Sequence, residues 1–166
     1  MILILDEWIF HDLQNENGND RQRETFQFLE RIKEKNNDKI VWIKNSKFED
    51  KYWNLSKLSS RKVELRKKFK FLENSFRFNS CKTKFLNLQH LQNISINDNI
   101  DKILKKIKAD DHYLVLSYFY LRRENQKCII VTTDEKLKNI LEPEGVIIKL
   151  RNEFIKQYLK NDTGYY

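Results

Sequence analysis

The acidic residues with the clearest chemical potential stand at the ends of apolar, strand-like runs. Asp6 directly follows the run 1–5, Glu49 and Asp50 come a few residues after 40–43, and Asp134 lies three residues after Val131. Asp110 and Asp111 open the segment that precedes the last of these runs. In an open parallel sheet, ligands bind in the crevice beyond the carboxyl ends of the strands. Carboxylates gathered there repel one another unless a cation sits between them. Oxygen-only ligation of this sort suits Mg²⁺ or Mn²⁺, which keep several waters and accept one or two carboxylates plus a substrate phosphate. Such an ion activates a water and stabilises the leaving oxygen in phosphodiester hydrolysis.

Each of these residues also has a plainer reading. A carboxylate beside a buried strand, as at Asp6, needs a partner. Asp110 and Asp134 double as helix N-caps, Asp111 as a second ligand or a cap, and Glu49 as an ordinary exposed acid. Thr132 either orients Asp134 or reflects β-propensity. Other chemistries find less support. His11, His90 and His112 do not pair with Cys81 and Cys128 at zinc-site spacings. No Gly-flanked Ser or Cys marks a nucleophile. Three glycines in the whole chain exclude a phosphate-cradling loop built on repeated glycines.

The elements that must position these acids follow from the periodicity. The apolar run 1–5 reads as a buried parallel strand. Phe26, Phe28, Leu29 and Ile32 mark a helix over 20–35, and 40–43 is the next strand, which makes a parallel crossover unit. Leu55, Leu58, Leu65, Phe69, Leu72 and Phe76 draw one apolar stripe through a helical arm, with a break expected near Ser59 and Ser60. Residues 80–98 fit a short strand or irregular structure equally well. Ile100, Ile103, Leu104 and Ile107 mark a short amphipathic helix behind the cap cluster of Asn97, Asp98 and Asn99. A buried crossover helix then starts at Asp110, 128–131 is a central strand, 146–148 the last strand and 153–159 a closing helix.

The chain has 166 residues, a length that suits one domain. Its net charge of +8 is unevenly spread. Residues 51–84 hold 11 basic and 2 acidic side chains, a local charge of +9, while the remainder sums to −1. That arm interleaves Arg61, Lys62, Arg66, Lys67, Lys68 and Lys70 with Tyr52, Trp53, Phe69, Phe71, Phe76 and Phe78. Cations neutralise phosphates and aromatic faces stack on bases, so the mixture suits nucleic acid; a helix with an aromatic core face and a solvated basic face produces the same pattern. No basic leader precedes the first apolar run, no stretch is long enough to cross a membrane, and the two cysteines lie far apart, which together lead us to expect a cytoplasmic protein.

Three segments, ILILDEWIF, DDHYLVLS and IIVTTDEKL, resemble the PIN-domain nucleases. In that family an Asp closes the first strand, an acid follows the second, an Asp opens a helix with a small residue seven positions on, and a Val-Thr-x-Asp element follows a later strand. Here these positions fall on Asp6, on Glu49 or Asp50, on Asp110 with Ser117, and on Asp134 preceded by Thr132. The resemblance implies a three-layer α/β/α sandwich with a central parallel sheet. It also implies RNA cleavage dependent on Mg²⁺ or Mn²⁺ held by Asp6, Glu49, Asp110, Asp111 and Asp134. A partner protein, an antitoxin if the chain is a toxin, would accompany it, with a homodimer as a further expectation. One departure stands out: Trp8 occupies a position where the family commonly has a small polar residue, and it either crowds the pocket or turns into the core. A PIN-like scaffold that binds nucleic acid or a protein without cutting is the rival expectation.

Overall fold

A computed structural model describes residues 1–93 and 98–160. The first apolar run forms β1 (Ile2–Leu5), whose four side chains are all buried because neighbouring elements cover both its faces. Its sheet mates are β2 (Lys39–Lys44), β3 (Thr83–Asn87), β4 (Cys128–Thr132) and β5 (Ile148–Leu150). All pair in parallel, in the order β3-β2-β1-β4-β5. In β1 and β4, Ile2 stands opposite Cys128 and Leu5 opposite Val131, so Asp6 and Thr132 emerge side by side at the carboxyl edge.

Helices complete the layers. The turn after β1 leads at once into α1 (Trp8–Leu13), which is followed by α2 (Asn19–Glu34). After β2 come α3 (Lys47–Arg61) and α4 (Val63–Leu72), then α5 (Leu88–Asn93) and α6 (Asp98–Leu104). A short 3₁₀ turn at Ala109–Asp111 leads into α7 (His112–Arg123), and α8 (Glu135–Leu141) and α9 (Arg151–Lys160) follow β4 and β5. α7 packs across β1 and β4, while α9 packs on β4, β5 and α2. Phe28 of α2 meets Phe154 and Tyr158 of α9 with ring centroids 6.0 and 5.1 Å apart. The parallel sheet between helical layers is the α/β/α architecture that the resemblance implies.

Four boundaries differ from the sequence expectation. α1 follows β1 without a loop, so the crossover to β2 contains two helices. The break in the arm falls at Lys62, whose backbone is extended, rather than at Ser59 and Ser60. Those two hydroxyls donate to the carbonyls of Ser56 and Lys57, one turn back, and so stay within the helix. β3 occupies part of the undecided stretch, and β5 starts at Ile148 because Gly145, at φ 79°, closes a turn that holds Val146 outside the strand. Ile94, Ile96 and Asn97 lie outside the described residues.

One ion-pair network fixes the layer beneath the cleft. Arg151, 1% exposed, donates to Asp12 at 2.8 Å, to Glu24 at 2.8 Å and to the Thr25 hydroxyl at 2.9 Å. Its guanidinium lies 5.4 Å from the centre of the Trp8 ring. Among the described residues, no helix is long and apolar enough to cross a membrane. Cys81 is exposed, Cys128 is buried, and the two are not bridged.

Candidate functional site

Asp6 is placed by the end of β1. It is 8% exposed, and its two oxygens accept three hydrogen bonds: Oδ1 from the Glu7 N–H at 2.6 Å and the Tyr113 hydroxyl at 3.2 Å, Oδ2 from the Thr132 hydroxyl at 2.7 Å. Burial pushes its carboxyl above the usual carboxylate range, against the lowering effect of these donors. Burial, followed by the charges of Asp6 and Glu7, holds Tyr113 well above the usual phenol range.

Thr132 also accepts the backbone N–H of Asp134 at 3.0 Å. It therefore serves two of the acids at once, whereas sequence spacing linked it to one. Asp134 is the N-cap of α8, with Oδ1 accepting the Leu137 N–H at 3.0 Å. The cap reading and the cleft reading of Asp134 thus hold together, since one carboxylate does both.

Asp6 and Asp134 open onto a cleft of about 380 Å³ at the carboxyl edge of the sheet, lined also by Glu7, Trp8, His11, Asn17, Arg21, Lys47, Lys108, Asp110, Asp111 and Thr133. Asp110 is exposed and Asp111 half-buried, both on the 3₁₀ turn before α7. The Asp111 carboxylate accepts no hydrogen bond among the described residues. Its pKa is raised first by burial and next by the charge of Asp6, with Asp134 adding to the effect and Lys47 and Lys108 opposing it. Asp111 is thus close enough to Asp6 and to Asp134 to feel the charge of both.

Lys47 supplies the cleft with a cation of its own. At the first position of α3, its ammonium lies 2.7 Å from Glu7 and 3.5 Å from Asp110. The hydrogen bond to Glu7 is the main reason that its pKa lies above the usual lysine value. Lys51, one turn on, reaches the other Glu7 oxygen at 4.0 Å. Asp6 thus accepts three hydrogen bonds, Asp134 caps a helix, and Lys47 is seated between Glu7 and Asp110. Among the described residues, no group of three or more His, Cys, Asp or Glu side chains is arranged to hold a metal ion.

Of the five residues expected to share a cation, four line the cleft: Asp6, Asp110, Asp111 and Asp134. Glu49 is not among the lining residues. It lies 3.6 Å from Arg77 and accepts the Asn45 N–H at 2.9 Å, while Arg77 itself rests over the rings of Trp42, Tyr52 and Phe85. Glu7 is the second acid of the β1 side; its signal was the Asp6-Glu7 pair itself. Lys47 has no signal in the sequence beyond standing shortly after β2, and the sequence does not single it out.

Trp8 turns into the core. It is 2% exposed, its indole donates to the Val131 carbonyl at 2.9 Å, and its ring lies against Phe28. His112 is hydrogen-bonded to the Leu104 carbonyl at 3.0 Å, which ties α7 to the preceding helix. Ser117 is fully buried in α7.

The basic arm presents a separate surface. Arg61, Lys62, Arg66, Lys67 and Lys70 are exposed, while Lys68 is half-buried and lines a groove between α1, α2 and α4. Two other cations of the arm are committed elsewhere: Arg77 as described, and Lys82, which is buried and donates to the carbonyls of Ile32 and Lys35.

No family model matches the sequence, and no curated protein matches it. Among solved structures, the chain is similar to the crystal structure of VapBC2 from Rickettsia felis bound to a DNA fragment from their promoter, with 16% identity over 90% of this chain and 98% of that one, at a TM-score of 0.45.

Proposed function

We propose that this chain is a PIN-like scaffold that binds nucleic acid through the basic face of α3 and α4. The observation that carries this reading is the row of exposed cations Arg61, Lys62, Arg66, Lys67 and Lys70, none of which forms an ion pair among the described residues. Phosphates are the natural counter-charge for such a row. In this reading Lys47, between Glu7 and Asp110, offsets part of the charge of the acidic cleft.

A second reading is favoured by one observation: the charges of Asp6 and Asp134 both raise the pKa of Asp111. Mutual repulsion of this kind is relieved by a shared cation. Asp6, Asp110, Asp111 and Asp134 would then hold Mg²⁺ or Mn²⁺, and the chain would be a metal-dependent endoribonuclease, with an antitoxin-type partner as the matching regulatory protein.

A labelled single-stranded RNA mixed with the protein in Mn²⁺ separates the two, alongside a Mn²⁺ titration followed by melting temperature. Binding without cleavage, and without a Mn²⁺-dependent rise in Tm, is expected for the scaffold. Cleavage that EDTA and Asp6→Asn both abolish would establish the nuclease instead. Failure to bind either RNA or DNA at low salt would refute the first reading.

A further inference from the structure

Trp53 is the one tryptophan of three that the fold leaves open: it is 48% exposed, whereas Trp8 and Trp42 are 2% and 0% exposed. Single exposed apolar side chains are ordinary, and Val63, Phe78 and Ile147 are exposed too; what sets Trp53 apart is that its ring is large, held in place and followed by cations. On α3, Phe48, Tyr52 and Leu55 face the core, and Trp53 stands just beside that face.

The ring is also held in place. Tyr52 supports it edge-on, with centroids 4.9 Å apart and planes at 64°. Tyr52 is itself fixed by the Trp42 ring at 4.9 Å, by stacking on Phe69 at 5.4 Å, and by its hydroxyl donating to Glu73 at 2.7 Å. Trp53 is therefore a braced platform and not a loose surface side chain.

Its neighbours along the helix are cations. Lys57 and Arg61 follow at intervals of four residues, both exposed and neither in an ion pair among the described residues. Steps of four on an α-helix drift only about 40° each, so the three side chains share one face. Asp50 precedes Trp53 by one turn, so the positive stretch runs from Trp53 toward the end of α3. At 1.5 Å per residue, Trp53 sits about 9 Å along the axis from Lys47, which lines the acidic cleft.

We propose that Trp53 is a base-stacking platform and that the arm takes single-stranded polynucleotide, with Lys57 and Arg61 on the backbone phosphates. The inference rests on the nucleic-acid reading above and sharpens it. A duplex hides its base faces within its own stack, whereas an unpaired base can lie on an indole; a cation row alone would not discriminate between them.

The intact protein titrated with oligo(U), oligo(dT) and a duplex of equal length tests this, with tryptophan fluorescence and anisotropy of a labelled oligonucleotide read together. Quenching of the exposed indole by single strands is expected, with weaker binding of the duplex. Trp53→Ala should weaken single-strand binding about tenfold, and Trp53→Phe should retain most of the affinity while losing the quench. The two oligonucleotides tell RNA from DNA as the source of the strand.

Unchanged affinity in Trp53→Ala, or equal affinity for the duplex, would overturn the stacking role while leaving nucleic-acid binding intact. Absence of binding of every oligonucleotide by the native protein, whether or not it binds anionic vesicles, would overturn both.

Discussion

The Thr132 hydroxyl donates to the Asp6 carboxylate at 2.7 Å across the seam between β4 and β1. The same oxygen accepts the Asp134 N–H, so one side chain fixes the positions of two acids on different elements. Thr132→Val would leave a buried carboxylate oxygen without its donor and a backbone N–H without its acceptor. A loss of about 1–3 kcal/mol is expected in urea unfolding. Thr132→Ser should recover most of it, and Asp6→Asn combined with Thr132→Val should cost less than the sum of the two single changes.

The raised pKa values of Asp6 and Asp111 fix the sign of a pH effect. Above 3.8, the ordinary value for both, the native state holds protons that the unfolded chain has released. Stability from these two groups is therefore greatest at and below that pH, falls as pH rises through their folded pKa values, and is level beyond them. The double variant Asp6→Asn, Asp111→Asn should show a shallower decline than the native chain across that interval when unfolding is measured at a series of pH values. Parallel curves would contradict the assignment.

Lys47 is the strongest influence lowering the pKa of Asp111. Lys47→Met should shift the Asp111 carboxyl titration, followed by NMR, to still higher pH. Glu49→Gln should leave it in place, because Glu49 is engaged with Arg77 and does not line the cleft. Equal shifts in the two variants would mean that the cleft is less local than its geometry.

Removing Arg151 would strand Asp12, whose side chain is 1% exposed, without its cation. Breaking a buried pair on one side costs about 3–5 kcal/mol, whereas replacing both members with apolar groups of similar volume is far milder. Arg151→Met should thus be strongly destabilising in chemical unfolding, and adding Asp12→Leu should restore part of the loss.

The legible parts of this fold are those where one physical rule acts alone. β1 and β4 are unbroken apolar runs because both their faces are covered, and such runs announce themselves. β3 is an edge strand with half-exposed positions at Lys84, Phe85 and Asn87, so its pattern is neither alternating nor continuous. α1 is too short for a helical period to emerge. In the cleft, Asp6, Asp110, Asp111 and Asp134 were readable because each adjoins a strand end or a helix start. Glu49 stands five residues beyond β2, already inside α3, and that helix turns it toward Arg77; a one-dimensional spacing cannot encode that rotation. Lys47 was hidden for the opposite reason, since a lysine near a strand end carries no signal until its partners are known.

The placement of β1 between β2 and β4 has a consequence for how the cleft comes into being. Asp6 is synthesised well before its donor Thr132, which lies 126 positions further on. Until β4 has been released and docked, β1 can pair only with β2, and the partly made sheet has an open hydrogen-bonding edge where β4 will lie. Closing so long a loop is entropically costly and makes parallel pairing of this kind slow. The acidic cleft therefore assembles only once β4 is available: a nascent chain exposes the arm before it has the site, and whatever the cleft does is withheld until β4 has docked.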